Sequence, residues 1–283
     1  MAVASHTAGV GSLCRISVPV DTRAPGGETN CYLVGEGPTL LIDPGARCAE
    51  LDAVVESRQI SDIAVTHPHP DHVGALATYA AETGATVWGR TGRVGRFEDA
   101  TGLAPDRTFS EGTTLPIAGG VTVHDTPGHA PDHVTFALGD ASADGETAVV
   151  GDLLRADGSI YVGEPEGDMR AYLTTLRRLR AMGFQRLAPG HGPPIESPST
   201  RLEAVIAHRL ERERRVLHAV EQGAVRVTDI IDRAYDRELG ELRDLAGQTV
   251  RAHLEKLARE GRLGWDGARA QPNPTGRFYP HRS

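Results

Sequence analysis

The run Thr66-His67-Pro68-His69-Pro70-Asp71-His72 constrains this chain more than any other feature. It follows an apolar strand candidate, Ile63–Val65, and precedes an amphipathic helix starting near Val73. Crowding three imidazoles and a carboxylate together is costly unless something charged neutralises them. Imidazole nitrogen and carboxylate oxygen are donors that zinc favours. In an extended loop, alternation sends His67, His69 and Asp71 to one side. His72 then points differently, which suits a second metal beside the first. Pro68 and Pro70 each bias the preceding histidine towards an extended backbone and fix their own φ, stiffening the loop. A surface loop with chance histidines has no use for this arrangement.

Further donors lie just past later apolar segments, each beside glycine. Thr126-Pro127-Gly128-His129 follows Val121–Asp125, Gly151-Asp152 follows Val149–Val150, and Pro189-Gly190-His191-Gly192 follows Leu187–Ala188. Glycine permits tight turns and close backbone approach, which a site built on strand-end loops requires. One such donor would mean little, since a lone histidine is usually structural. Seven donors in total make a specific pattern.

Residues 1–198 read as alternating strands and helices. The strand candidates are Leu13–Val20, Cys31–Val34, Thr39–Ile42, Ile63–Thr66, Ala85–Trp88, Val121–Asp125, His133–Leu138, Thr147–Val150 and Arg186–Ala188. They are short, mostly rich in Val, Ile, Leu or Thr, and bounded by Gly, Pro or Asp. Helix candidates are Ala49–Arg58, Val73–Thr83 and Asp168–Met182, the last stopped by Gly183. The expected class is α/β, with packed sheets and helices outside. A proline-dense run, Gly192 to Pro198, marks a boundary. Residues 199–283 then turn helical, with a long helix through Leu202, Val205, Ile206, Leu210, Val216, Leu217 and Val220. A second helix is expected to be capped by Thr228, and a third spans Glu241–Glu260. Gly261-Arg262-Leu263-Gly264-Trp265 suggests a short strand and turn. Three helices and a small hairpin is winged-helix order.

The 283 residues contain no run near the roughly 20 apolar residues of a membrane-spanning helix. Met1–Arg15 lacks the basic start and apolar core of a signal peptide. Cys14, Cys31 and Cys48 are an odd set without paired spacing, so a disulfide framework is not expected and a cytoplasmic setting is. Each reads as a small buried hydrophobe. The net charge of −8 is uneven: residues 201–283 carry 16 basic and 13 acidic side chains, leaving the body at −11. A mildly basic tail can touch a polyanion, although at +3 over 83 residues an ordinary solvated surface is the better reading.

His-x-His-x-Asp-His, then Gly-His, Gly-Asp and Gly-His in order, resembles the metallo-β-lactamase superfamily with its glyoxalase II-like ligand set. Leu41-Ile42-Asp43-Pro44-Gly45 resembles that superfamily's early turn, with Pro44 in place of the more usual threonine. Thr29-Asn30-Cys31-Tyr32-Leu33-Val34, Thr126 to His133 and Pro189 to Pro193 bring the chain closest to the β-lactamase-like protein 2 group. The resemblance implies an αββα sandwich over residues 1–198 and a small winged-helix domain over 199–283, which in that group covers the active-site mouth and helps bind substrate. It also implies two zinc ions. His67, His69 and His129 would hold the first, Asp71, His72 and His191 the second, and Asp152 would bridge them. His133 matches a family position and is expected to orient a ligand or substrate, or simply to pack. Asp43 is expected to accept a hydrogen bond from a ligand histidine.

The expected chemistry is hydrolysis by a metal-bound hydroxide, with Asp71 as ligand and proton acceptor. The first expectation is a thioester, ester or lactone substrate, either small or carrier-bound, and no membrane partner. The alternative is cleavage of single-stranded RNA, as endoribonucleases of the resembling group perform. Arg209, Arg212, Arg214 and Arg215 would serve it, but they alternate with Glu211 and Glu213 and read better as a salt-bridged solvent face. Iron-dependent oxygen chemistry is a third possibility, argued against by the intact second donor set. A DNA-binding regulator is a fourth, disfavoured because basic and acidic residues balance along the third helix.

Overall fold

A computed structural model describes residues 6–7, 13–117, 119–139, 146–236 and 238–273. The signal-peptide reading of Met1–Arg15 falls largely outside these residues. Two compact units emerge: residues 1–127, 132–160 and 179–201 form one, and 128–131, 161–178 and 202–283 the other.

Two sheets build the first unit. Strands β1 (His6–Thr7), β2 (Leu13–Pro19), β3 (Glu28–Val34), β4 (Thr39–Ile42), β5 (Ile60–Ala64), β6 (Thr86–Arg90) and β7 (Arg107–Phe109) lie side by side in chain order. The pairs from β1 to β4 are antiparallel; those from β4 to β7 are parallel. Parallel neighbours need crossovers. Helices α1 (Ala49–Ser57), α2 (Pro70–Val73), α3 (Leu76–Thr83) and α4 (Val94–Thr101) supply them. The second sheet runs β12 (Arg186–Pro189), β11 (Thr147–Gly151), β10 (Val134–Leu138), β9 (Val121–Asp125), β8 (Thr114–Leu115).

Side-chain alternation explains the layering. In β3, Cys31 and Leu33 pack in a core with Leu51, Val55, Leu76, Tyr79 and Phe97 of the helices. Their neighbours Tyr32 and Val34 join Val121, Val123, Val134, Phe136 and Val149 of the second sheet in another core. Strands buried on both faces read as continuous apolar runs, as Thr39-Leu40-Leu41-Ile42 does. These are the mixed sheets and flanking helices that the resemblance implies.

Helix α5 (Met169–Met182) begins where Asp168 Oδ1 accepts from the N–H groups of Arg170 (2.8 Å) and Ala171 (3.0 Å). In the second unit, the later turns of α6 (Pro198–Glu221) pack with α7 (Val227–Ala234), α8 (Arg243–Arg259) and the hairpin β13 (Leu263–Trp265)–β14 (Ala270–Pro272).

Three local expectations change. The helix expected from Val73 to Thr83 is split, and its first turn starts at Pro70. Proline is well suited to a first helical position, because its missing N–H would have no intrahelical partner there. Asp71 therefore sits on a helical turn, not in the extended run that carries His67 and His69. Thr228 lies inside α7 and donates to Asp229 Oδ1, while Arg226 holds the cap position without a side-chain cap. Helix α4 was not anticipated: within Val-Gly-Arg-Phe-Glu-Asp-Ala-Thr only Phe97 is buried, so the apolar periodicity is nearly absent.

Candidate metal centre

The expected donors of the first unit meet where its strands end. His67, His69, Asp71 and His72 follow β5, Asp152 follows β11, and His191 follows β12. Backbone bonds tie these ends together. Val134 N–H donates to Thr66 O at 2.8 Å, Gly190 N–H to Gly151 O at 2.8 Å, and Asn30 N–H to Gly190 O at 2.8 Å. Asn30 Nδ2 and the Tyr32 hydroxyl also donate to Pro189 O, at 2.8 and 2.7 Å. The first sheet thus holds the loop that presents His191.

Asp43 organises the histidines. It adopts φ 54°, a left-handed conformation that Asp tolerates better than most residues. Its fully buried carboxylate accepts from Thr66 N–H (2.6 Å), the Thr66 hydroxyl (2.8 Å) and His72 Nδ1–H (3.0 Å). Since the Thr66 proton goes to Asp43, Thr66 Oγ1 receives the proton on His67 Nδ1, 3.1 Å away. His191 Nδ1–H donates to the Glu28 carbonyl at 2.7 Å. Each ring has its Nδ1 committed, which leaves the Nε2 lone pairs of His67, His72 and His191 as donors to metal. His67 Nε2 lies 2.9 Å from His69 Nδ1.

The result is a convergence of lone pairs. His191 Nε2 lies 3.2 Å from Asp152 Oδ1 and 3.4 Å from Asp71 Oδ2; His72 Nε2 lies 3.5 and 3.6 Å from the same two oxygens. Both Nε2 atoms are buried and make no hydrogen bond. Ligands at tetrahedral corners, each about 2.0–2.1 Å from one zinc, would stand about 3.3 Å apart. Asp71, His72 and His191 form one compact donor group and His67, His72 and Asp152 another. The residues fit a bound cation.

The titration of these groups agrees. Burial opposes charge on His72, yet Asp43 and Asp152 outweigh it and hold the imidazole well above its ordinary range. His191 is likewise desolvated, but Asp152 and Asp71 carry it up to about 9. Burial would raise Asp71, but His191 and His72 bring it down to about 2. The carboxylates favour positive charge at these imidazoles; a bound cation would supply it in place of the Nε2 proton, which frees the lone pair.

Glycines let the ligand loops touch. A Cβ on Gly190 would fall 2.5 Å from Asp152 Oδ1 and 2.9 Å from His72 Cε1, and one on Gly45 would fall 1.9 Å from Asp71 O. His133 faces Asp152 differently. Its Nε2 accepts from Asp152 N–H at 3.1 Å, so Nδ1 carries the proton and donates to Thr126 Oγ1 at 2.9 Å. With both nitrogens so engaged, His133 seats the backbone of Asp152. His129 belongs to the second unit's segment 128–131, where its Nδ1–H donates to Tyr161 O at 2.8 Å.

Sequence reasoning places Thr29, Thr66 and Thr126 within motifs but gives them no role, and it does not single out Glu28 or Tyr161. Thr29 donates to Asp71 Oδ2 at 3.2 Å. Glu28 and Tyr161 act through carbonyls, which no side-chain motif reports.

Helix-flanked sheets with histidines and aspartates gathered at their strand ends define a metal-binding hydrolase. The chain belongs to the metallo-β-lactamase superfamily, whose family model matches residues 24–191. It is 31% identical over 255 residues to the beta-lactamase-like protein 2 homolog of Drosophila melanogaster, covering 83% of this chain and 84% of that protein. It is 27% identical over 260 residues to the atrochrysone carboxyl ACP thioesterase of Aspergillus fumigatus, covering 84% and 78%. Among solved structures, a metallo-beta-lactamase family protein from Thermus thermophilus matches with a TM-score of 0.73 and 25% identity, covering 92% and 98%. A protein solved in a di-iron-bound form matches with a TM-score of 0.52 and 31% identity, covering 64% and 94%.

Proposed function

We propose that the protein is a dinuclear zinc hydrolase acting on a small or carrier-bound thioester, ester or lactone. The observation that carries the metal reading is the meeting of Asp71, His72, Asp152 and His191 at 3.2–3.6 Å, with the histidine Nδ1 atoms already committed. In this reading His67, His69 and His129 hold one ion, Asp71, His72 and His191 the other, and Asp152 serves both. When bound, zinc supplies Lewis acidity and makes water a usable nucleophile near neutral pH. Thr29 holds Asp71 in position to take a proton, and His133 holds Asp152. The acyl substrate is supported by the resemblance to the fungal carrier-protein thioesterase.

An intact double donor set does not by itself separate zinc from iron, because a neighbour of this fold binds two irons. Elemental analysis of the purified protein decides the metal. The division at residue 198, with a winged-helix-like domain over 199–283 that helps bind substrate, is part of the same proposal, supported by the order α6, α7, α8 and hairpin. So is a cytoplasmic setting, supported by Cys14 and Cys31 as buried thiols and Cys48 as an N-cap acceptor for Leu51 N–H. Among the described residues no helix is long and apolar enough to cross a membrane.

The arginines of α6 do not favour the RNA alternative. Arg214 and Arg215 pair with Glu211, Arg215 also with Asp236, and Arg212 stacks on Tyr235. Arg209 and Glu213 are buried, so the expected solvent face holds only in part. The test is a rate assay of the zinc-loaded protein on an acyl thioester and on labelled single-stranded RNA, with Asp71→Ala beside it. Thioester turnover lost in the variant is expected. RNA cleavage lost in the variant, with a steep salt dependence, would replace this reading by the nuclease one.

A further inference from the structure

His129 is oriented by a relay that ends on the C-terminal helix α8. Its Nδ1–H donates to the Tyr161 carbonyl at 2.8 Å, which fixes the tautomer and gives Nε2 the lone pair. The Tyr161 hydroxyl in turn donates to Gln248 Oε1 on α8, with the Glu164 carbonyl 3.0 Å away as a second acceptor.

A second tie from the same helix reaches the same segment. Arg259 Nη1 donates to Asp168 Oδ2 at 2.7 Å, and Asp168 N–H donates to Gly128 O at 2.9 Å. This pair is half-exposed and contributes little by itself. Gly128, at φ 141°, sits so tightly on α5 that a Cβ would fall 2.3 Å from Tyr172 Cα. The segment carrying His129 therefore has little freedom of its own, and its imidazole direction follows Tyr161.

We propose that Gln248, acting through Tyr161, is a positioning residue for His129, so that helix α8 sets the affinity of the metal site His129 belongs to. The inference rests on the reading of His129 as a ligand. Outer partners of ligand histidines typically change metal affinity 10–100-fold when lost. Gln248 acts one step further out, so the lower end, about tenfold, applies.

The test is a zinc titration of the full-length protein against a chromophoric chelator, repeated with cobalt(II) and read by visible absorption. Gln248→Met keeps the side-chain volume but removes the acceptor; Tyr161→Phe keeps the carbonyl but removes the hydroxyl. Each is expected to weaken one of two binding steps about tenfold and to leave the other unchanged. Gln248→Glu, which keeps an acceptor oxygen, is expected to restore it. The weakened step must be the one that His129→Ala abolishes. Wild-type titrations for both Gln248→Met and Tyr161→Phe overturn the proposal, as does equal weakening of both steps. If Gln248→Met does not fold, Tyr161→Phe decides alone. His129→Ala with both steps intact overturns the ligand reading instead, a result told apart because the relay variants do not enter it.

Discussion

The Asp43 carboxylate accepts from three donor groups on two residues and, in the proposed scheme, touches no metal. It fixes His72 directly and His67 through Thr66. Asp43→Asn keeps the size but removes one acceptor oxygen, and its new amide hydrogens face groups that themselves donate. Zinc affinity is expected to fall about 10–100-fold, measured by chelator competition; unchanged affinity would refute this role. Gly190→Ala tests the close approach of the ligand loops. Its Cβ must displace Asp152 or the His72 ring, so less than the wild-type metal content is expected in a protein whose circular dichroism is unchanged. At this scale the donors were legible because histidine and aspartate announce their chemistry. Their orienting partners were not, since Thr66, Glu28 and Tyr161 are ordinary residues that only the fold brings into line.

Strands and helices were legible where packing leaves a period in the sequence. Thr39–Ile42 and Val121–Asp125 match their expected bounds because both end at turn-forming or charged residues. Helix α4 and the short strands β7 and β8 leave almost no period, so only tertiary contacts define them. The α6 face was misread in part because alternating Arg and Glu look alike whether exposed or buried: Glu213 is buried beside Lys256, 2.8 Å away. Among core side chains, Phe136 meets Phe109 edge to face at 5.8 Å between the two sheets. Phe136→Ala is expected to cost about 3–5 kcal/mol in chemical denaturation, because the closely packed sheets cannot collapse onto the space left. A loss below about 1 kcal/mol would mean the sheets are less tightly coupled than their shared core implies.

For the whole molecule, acid is expected to act first on the second unit. His253 is fully buried, and burial, helped by Arg209 and Lys256, outweighs Glu213 and holds its pKa below the ordinary 6.5. The unfolded chain therefore takes up a proton below about pH 6.5 that the folded one refuses, and stability falls from there. Glu213 is also desolvated, but His253 and Lys256 lower its pKa below 4.5, so its stabilising contribution is present above that value and is lost as pH falls through the lowered one. The melting temperature should decline as pH falls below about 6.5, with His253→Gln flattening the first part of the decline. The same slope in wild type and variant would show that His253 does not set it. The central claim, that seven side chains hold two metal ions, is tested most directly by metal content per chain in wild type, His191→Ala and His129→Ala. The account predicts two equivalents in the wild type and one fewer, from different binding steps, in each variant. A wild type that binds a single ion, or variants that retain both, would contradict it.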